Sequence, residues 1–405
     1  MPGSKVSLVI MTGSGGRSEV ERMVDLARQA ITLDTVQRAL AVEAIGPIVI
    51  ATDSASLAES LRGTPVHVEL DAPGEEFHFG RRLRDLISGQ GLEKVFYIGG
   101  GSTALLSAEE MGRIAETLLS ADELVIANNF YSTDFAAFAP AQAINSIEPP
   151  TLTLDNDLAW RLVKRAGLPC KELPRTAATQ LDVDTPSDLM TLKPHPGVGP
   201  HSRRYLDSLE LDTSHIERAL KLFTDRKAEV LVAGRVSAST WAYLESETAC
   251  RVRLFSEERG MRASGRQARG EALSLLGLYL EEVGLERFFA TLGKMSQAAF
   301  LDSRVLFAHR RMWPSAPDRF YSDLRQPEKI SDPGVRRFTE AAIEAPIPVV
   351  LGGHSLVSGG LYALVEAAWA RGEDLARHVE PLGNTEARRA WKHGSSVSPR
   401  SSVIP

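Results

Sequence analysis

The chain has 405 residues, 43% of them hydrophobic and 24% charged, which suits a globular protein of two or three domains and excludes collagen-like, coiled-coil and wholly disordered classes. No apolar run approaches the ~18–20 residues of a membrane span, and two cysteines, Cys170 and Cys250, can build neither a disulfide framework nor a Cys-rich zinc site. The net charge of −6 is unevenly spread: residues 1–198 carry 17 Lys+Arg against 26 Asp+Glu, a net of −9, and residues 199–405 carry 29 against 26, a net of +3.

Residues 1–5 lack a signal-peptide layout, so a reducing cytoplasm is the expected location. The overall acidity argues against general nucleic-acid binding. Within the second part 24 Arg stand against 5 Lys, and Arg is the side chain suited to planar, bidentate anion contacts. Base-composition bias explains that excess equally well.

The first half alternates strands and helices. A strand over 5–11 runs into Thr12-Gly13-Ser14-Gly15-Gly16-Arg17. A helix follows over 31–44, then a buried strand over 47–51 ending at Thr52-Asp53. Ser54 caps a helix over 54–61. A strand over 66–70 and a helix over 79–88 come next. The strand over 94–98 enters Gly99-Gly100-Gly101-Ser102. Ser107 and Glu110 form a capping-box pattern at the start of a helix over 107–119. A strand over 123–127 closes the series. This rhythm predicts an α/β, Rossmann-like three-layer domain with a mostly parallel sheet. Ligands of such sheets bind beyond the carboxyl ends of the strands.

The Pro/Gly-rich stretch from Lys193 to Pro200 is the best linker candidate. Beyond it, helices are expected over 213–224, 267–283, 285–295 and 355–371, and strands over 228–233, 248–255 and 347–351. The expected organisation is a first domain over 1–198, a second α/β domain over 199–384, and a Ser-, Arg- and Pro-rich disordered tail over 385–405.

Three features sit where a nucleotide site needs them. The loop Gly13-Ser14-Gly15-Gly16-Arg17 is either a tight turn or a phosphate cradle of exposed amides with a guanidinium. It is neither a P-loop nor a dinucleotide fingerprint, because both spacings fail. Asp182-Val183-Asp184-Thr185-Pro186-Ser187-Asp188-Leu189 places Asp182 and Asp184 on one face of an extended segment. Two carboxylates there suit a hard divalent cation such as magnesium; alternatively, the acidic residues only complete the start of the helix that Thr185-Pro186 opens. Third, Gly99-Gly100-Gly101-Ser102 ends a strand facing the ligand crevice.

Together these motifs resemble the nucleotidyltransferases of the glycosyltransferase-A type fold, and most closely the molybdenum-cofactor and phospholactate guanylyltransferases. The resemblance spans about 5–193. It implies that Gly13, Ser14, Gly15, Gly16 and Arg17 hold the phosphates of a nucleoside triphosphate, with Gly101 and Ser102 beside them. Asp182 or Asp184 then matches the late acidic element, so that Asp182 and Asp184 are the expected Mg2+ ligands and Arg17 and Asp184 the expected catalytic residues. The implied reaction is attack of a phosphorylated acceptor on the α-phosphorus of the nucleoside triphosphate with loss of pyrophosphate, in cofactor biosynthesis. The chain departs from that family at the G-D turn, where Gly101 and Ser102 replace a metal-binding Asp, and in lacking a Lys over 18–28. Asp134 is a candidate replacement ligand.

No family is recognisable over 200–385. Three predicted strand ends there carry polar loops, giving a second expected anion site of Arg235, Arg259, Arg262, Gly353, His354 and Ser355. For His354, a hydrogen-bonded turn histidine is the competing reading. Asp302, His309 and Asp323 are candidates for an acid/base cluster, without metal-ligand spacing. The expected partners are a small-molecule nucleotide and a phosphorylated metabolite, with no nucleic acid and no membrane, in a chain that can form homo-oligomers. Two alternatives stay open: a catalytically degenerate nucleotide- or phospho-metabolite-binding protein, and a nucleotide-sugar glycosyltransferase.

Overall fold

A computed structural model describes residues 5–72, 77–148 and 151–371. The tail expected over 385–405 lies outside the described residues. Two sheets organise the chain. The first contains β1 (Val6–Met11), β2 (Ile45–Thr52), β3 (His67–Leu70), β4 (Val95–Gly99), β5 (Leu124–Ala127), β6 (Phe135–Ala139) and β7 (Cys170–Glu172), in the order β3-β2-β1-β4-β6-β5-β7. Only β6 runs antiparallel to its neighbours β4 and β5. All six residues of β1 are buried, as expected of a central parallel strand covered on both faces. Its register pairs Met11 with Gly99, which sets the loops after β1 and β4 side by side.

The second sheet contains β8 (Glu229–Gly234), β9 (Arg251–Ser256), β10 (Ala298–Asp302) and β11 (Val349–Gly352), in the order β11-β10-β8-β9, all parallel. The polar loops that follow β8, β9 and β11 therefore share one sheet edge. The fold is α/β throughout, with a parallel-dominated first sheet and a second α/β unit.

Several elements differ from the sequence reading. The helix expected over 31–44 is Glu19–Leu40, because Ser18 and Glu21 close a full capping box one turn after the glycine loop. The helix expected over 267–283 starts only at Leu275, and a non-helical Gly284, with φ 76° and ψ 169°, separates it from the helix expected over 285–295, which ends at Met295. The helix expected to start at 355 begins as a single wide turn, Leu356–Gly360, before Leu361–Arg371. The antiparallel β6 and the short β7 were not anticipated, nor was the central β10.

The expected linker is not a free tether. Asp34, on the long helix of the first half, accepts the backbone N–H groups of His201 and Ser202, both at 2.9 Å. Tyr205 donates to the carbonyl of Met23 at 2.9 Å. The helix Pro200–Ser208 thus packs on the first half. One hydrophobic cluster joins Val24, Ala27, Ile31, Leu181 and Val183 to Tyr362 and Ala363 of the second unit. Glu366 accepts the N–H of Ala177 at 3.0 Å and meets Nε2 of His195 at 3.2 Å. Apolar burial shared across the boundary fixes the two sheets relative to each other. Among the described residues no helix is long and apolar enough to cross a membrane.

Candidate active site

The carboxyl edges of the two sheets face one cleft of ≈ 1550 Å³. A pocket for one small ligand usually measures ~300–1,000 Å³, so the cleft has room for two reactants. Part of the first anion site expected from the sequence and the residues of the second line this single space. Gly13, Ser14, Gly101, Asp182 and Asp184 line it from the first half, and Arg235, Arg259, Arg262, Gly353, His354 and Ser355 from the second. The seam runs directly past the acidic motif, because the Ser355 hydroxyl donates to the carbonyl of Asp182 at 2.7 Å.

One wall is acidic. Asp134, at the start of β6, and Asp155, in the turn before the helix Leu158–Ala166, join Asp182 and Asp184 there. Asn128 donates to Asp134 at 2.8 Å, and the hydroxyl of Tyr97 donates to Asp155 at 2.8 Å. Burial, then the charge of Asp155, pushes Asp134 up to about 7. Burial also lifts Asp155 to about 6, against the pull of the Tyr97 hydrogen bond. Asp182 is raised by burial first and then by Asp184 and Asp134, against the opposing pull of Arg28. Like charges gathered in a low-dielectric wall hold protons unless a cation is supplied.

Arg28 is the cation the wall already has. Its Nε donates to the carbonyl of Val183 at 2.8 Å, and its Nη2 pairs with Asp184. Burial works against its charge, but Asp184, Asp182 and Asp25 outweigh burial and hold the guanidinium above its ordinary value. Arg28 comes from the inner face of the long helix, three residues after Asp25, a position that the late placement of that helix in the sequence reading obscured.

Gly101 explains how Asp182 reaches the wall. A Cβ at position 101 would stand 2.7 Å from Oδ1 of Asp182 and 2.7 Å from the carbonyl of Val183. The space beside Gly101 is filled by the Asp182 carboxylate, from the segment between the short helix Ala177–Gln180 and the helix Pro186–Leu192. Ser102 does not face the cleft. It is 2% exposed, and its hydroxyl donates back to the carbonyl of Gly99 at 2.7 Å.

The glycine loop is folded onto carboxylates. Asp53, at the end of β2, accepts the Ser14 N–H at 2.9 Å and the Ser14 hydroxyl at 2.5 Å. Asp25 accepts the Gly15 N–H at 2.9 Å. The amides that would receive a phosphate are thus engaged by internal anions. Gly15, Gly16 and Arg17 are not among the residues that line the cleft, and Arg17 is exposed. The guanidinium that enters from this side is Arg28.

The other wall is basic. Arg235 clamps Asp302 with two hydrogen bonds, 2.6 and 3.1 Å. Gly234 permits that clamp: its φ is 127°, and a Cβ there would overlap the Asp302 side chain. Arg304 clamps Asp323 with two bonds of 2.6 Å. Asp302 and Asp323 therefore serve different arginines, and His309 lies elsewhere, accepting the N–H of Ser274 at 3.2 Å. They do not form the acid/base cluster expected of them. Glu258 pairs with Arg266, and Glu257 accepts the Leu275 N–H at a helix start, so neither acts as a free base. His354 keeps solvent-exposed surface in the cleft, but the surrounding protein first, and then Arg235 and Arg259, lower it to about 4 against the opposing pull of Asp302, so at neutral pH it is an uncharged donor or acceptor.

No family profile matches the chain, and no curated protein matches it in sequence. Solved structures match about half of the chain. A cytidylyltransferase from Leptospira borgpetersenii serovar Hardjo-bovis is 14% identical over 50% of this chain and 91% of its own, with a TM-score of 0.37. A 4-diphosphocytidyl-2C-methyl-D-erythritol synthase from Anaerococcus prevotii is 13% identical over 45% and 94%, with a TM-score of 0.31. A CMP:2-keto-3-deoxy-manno-octonic acid synthetase in complex with CTP is 13% identical over 46% and 95%, with a TM-score of 0.35. Likenesses this weak decide neither ligand nor activity, which have to be read from the residues of the cleft.

Proposed function

We propose that the chain is a nucleotidyltransferase, moving a nucleotidyl group from a nucleoside triphosphate to a phosphorylated acceptor, as in the guanylyl transfers of cofactor biosynthesis that its sequence resembles. The observation that carries this reading is the pairing of an acidic wall with an arginine wall across one cleft. The first is built to accept a cation with its phosphates, the second to accept an anionic partner.

The donor set fits magnesium. Asp182 and Asp184 present hard oxygens from one extended segment, and the raised proton affinities of Asp134, Asp155 and Asp182 mark a place short of positive charge. Among the described residues no three acidic, His or Cys side chains form a complete metal cage. Mg2+ needs none, because it takes one or two carboxylates and completes its shell with water and substrate phosphates. When bound, it supplies charge neutralisation at the phosphate oxygens. Arg28 holds Asp184 in place and adds a fixed positive charge beside the phosphates. In the transfer, an acceptor phosphate oxygen forms a bond to the α-phosphorus while the bond to the β-phosphate oxygen breaks, and pyrophosphate leaves with that electron pair.

A second reading, a binding protein without transfer activity, is favoured by the engagement of Ser14 and Gly15 with Asp53 and Asp25. The two readings separate in one experiment. Thermal unfolding is followed with ATP, GTP, CTP and UTP, each with and without Mg2+, and pyrophosphate release is then assayed with phosphorylated acceptors. Metal-dependent stabilisation with pyrophosphate release supports transfer. Stabilisation without release supports the binding protein. No stabilisation by any of the four removes both.

A further inference from the structure

The arginines of the second unit are not equivalent. Arg235, Arg304 and Arg266 are each neutralised by a carboxylate, respectively Asp302, Asp323 and Glu258. Arg259 and Arg262, in the loop after β9, make no side-chain hydrogen bond or ion pair among the described residues, although both line the cleft. Arg319, from the helix Ala316–Asp323, donates only to the carbonyl of Pro314, at 2.7 Å. Burial and then the like charge of Arg304 lower its proton affinity, against the pull of Asp323; Arg262 lowers it further and Glu21 pulls weakly the other way. Arg262 and Arg319, from two elements, thus press their like charges on each other, and Arg259 lines the same cleft without an ion pair among the described residues. Beside them the indole of Trp313 is 57% exposed and lines the same space, with Met312 and Phe320. An exposed Trp at the rim of a charged cleft offers a flat apolar face next to a charge that needs an anion.

We propose that Arg259, Arg262 and Arg319 form a binding site for a phosphomonoester dianion attached to an apolar body, which lies against Trp313. The proposal rests on the transferase reading in one respect: the molecule bound there is the acceptor, held opposite the nucleotide. A doubly charged group matches the site, because each unpaired guanidinium offers parallel N–H donors to phosphate oxygens. The apolar face selects for what the phosphate carries.

The test is calorimetric titration of the full chain with phenyl phosphate and with inorganic phosphate. Saturable 1:1 binding of phenyl phosphate, tighter than that of inorganic phosphate, is expected. Arg259→Ala and Arg262→Ala each weaken both probes by about tenfold or more, the usual size of a lost charge-assisted hydrogen bond. Trp313→Ala weakens phenyl phosphate and leaves inorganic phosphate unchanged. Phenyl phosphate still binds when Mg2+ and a nucleoside triphosphate saturate the chain, and it still binds Asp182→Asn. Absence of saturable binding overturns the site, as do wild-type affinities in both Arg variants. Mutual exclusion of phenyl phosphate and nucleotide also overturns it, because the arginines would then serve the nucleotide. An unchanged phenyl phosphate affinity in Trp313→Ala overturns the apolar half. Phenyl phosphate binding without any nucleotide binding leaves the anion site standing and defeats the transferase reading alone.

Discussion

Arg235→Ala separates arginines that hold the fold from arginines that face a ligand. Arg235 reaches Asp302 through two hydrogen bonds of 2.6 and 3.1 Å, and the Asp302 side chain is fully buried. Burial alone would raise the proton affinity of Asp302; the Arg235 guanidinium overrides burial and holds it below the ordinary carboxylate value. In the wild type, therefore, this group contributes stability above pH ~4 that is lost only as the pH falls through its lowered pKa. Without Arg235 the sign reverses: burial dominates, the folded chain prefers protonated Asp302, and stability falls as the pH rises above ~4. Leaving one partner of a buried pair uncompensated costs roughly 3–5 kcal/mol. Urea unfolding of wild type and Arg235→Ala at pH 8 and pH 5 should show that loss at pH 8 and a smaller one at pH 5. Arg262→Ala, whose side chain is exposed and unpaired among the described residues, should change stability by no more than about 0.5 kcal/mol at either pH. A loss at pH 8 below about 1 kcal/mol, or one equal at both pH values, would refute the assignment of Arg235 to the fold.

Two further substitutions probe the acidic wall. Asp53→Ala frees the Ser14 amide and hydroxyl and removes a negative charge from the phosphate path, so Mg2+-nucleotide affinity should rise, by roughly tenfold if one charge-assisted bond is released; weaker binding in calorimetry would mean that Asp53 shapes the loop for the phosphate instead. Gly101→Ala drives a methyl group into Asp182 and the Val183 carbonyl, so metal-dependent nucleotide binding should fall while phenyl phosphate binding stays as in the wild type; unaltered metal dependence would remove Asp182 from the site.

The β/α alternation of the first half was legible because its central strands are continuous apolar runs, such as Val6–Met11, bounded by glycines. The convergence of loops at the edge of the second sheet was legible too, since parallel strands put their carboxyl ends together. What the sequence hid was juxtaposition. Nothing in the segment Asp155-Asn156-Asp157 marks Asp155, and only the structure, with Tyr97 donating to it, places it in the wall. Asp25 and Arg28 were hidden because the helix expected over 31–44 starts twelve residues earlier, at Glu19; the Ser18/Glu21 capping box is the signal for that earlier start. Arg17 drew attention by following the glycines, but loop residues next to a motif need not point into it. Most of all, a single sequence could not show that the acidic and basic halves of the charge split meet across one cleft.

In the proposed reaction the acidic wall receives a metal-bound nucleotide while the free arginines receive a different molecule. Calorimetric titration of Mg2+-nucleotide into wild type, Asp182→Asn and Arg262→Ala tests it most directly. Magnesium-dependent binding to wild type is expected, with loss of that dependence in Asp182→Asn and near-wild-type affinity in Arg262→Ala. Equal binding to wild type and Asp182→Asn, or loss of nucleotide binding in Arg262→Ala alone, would contradict it.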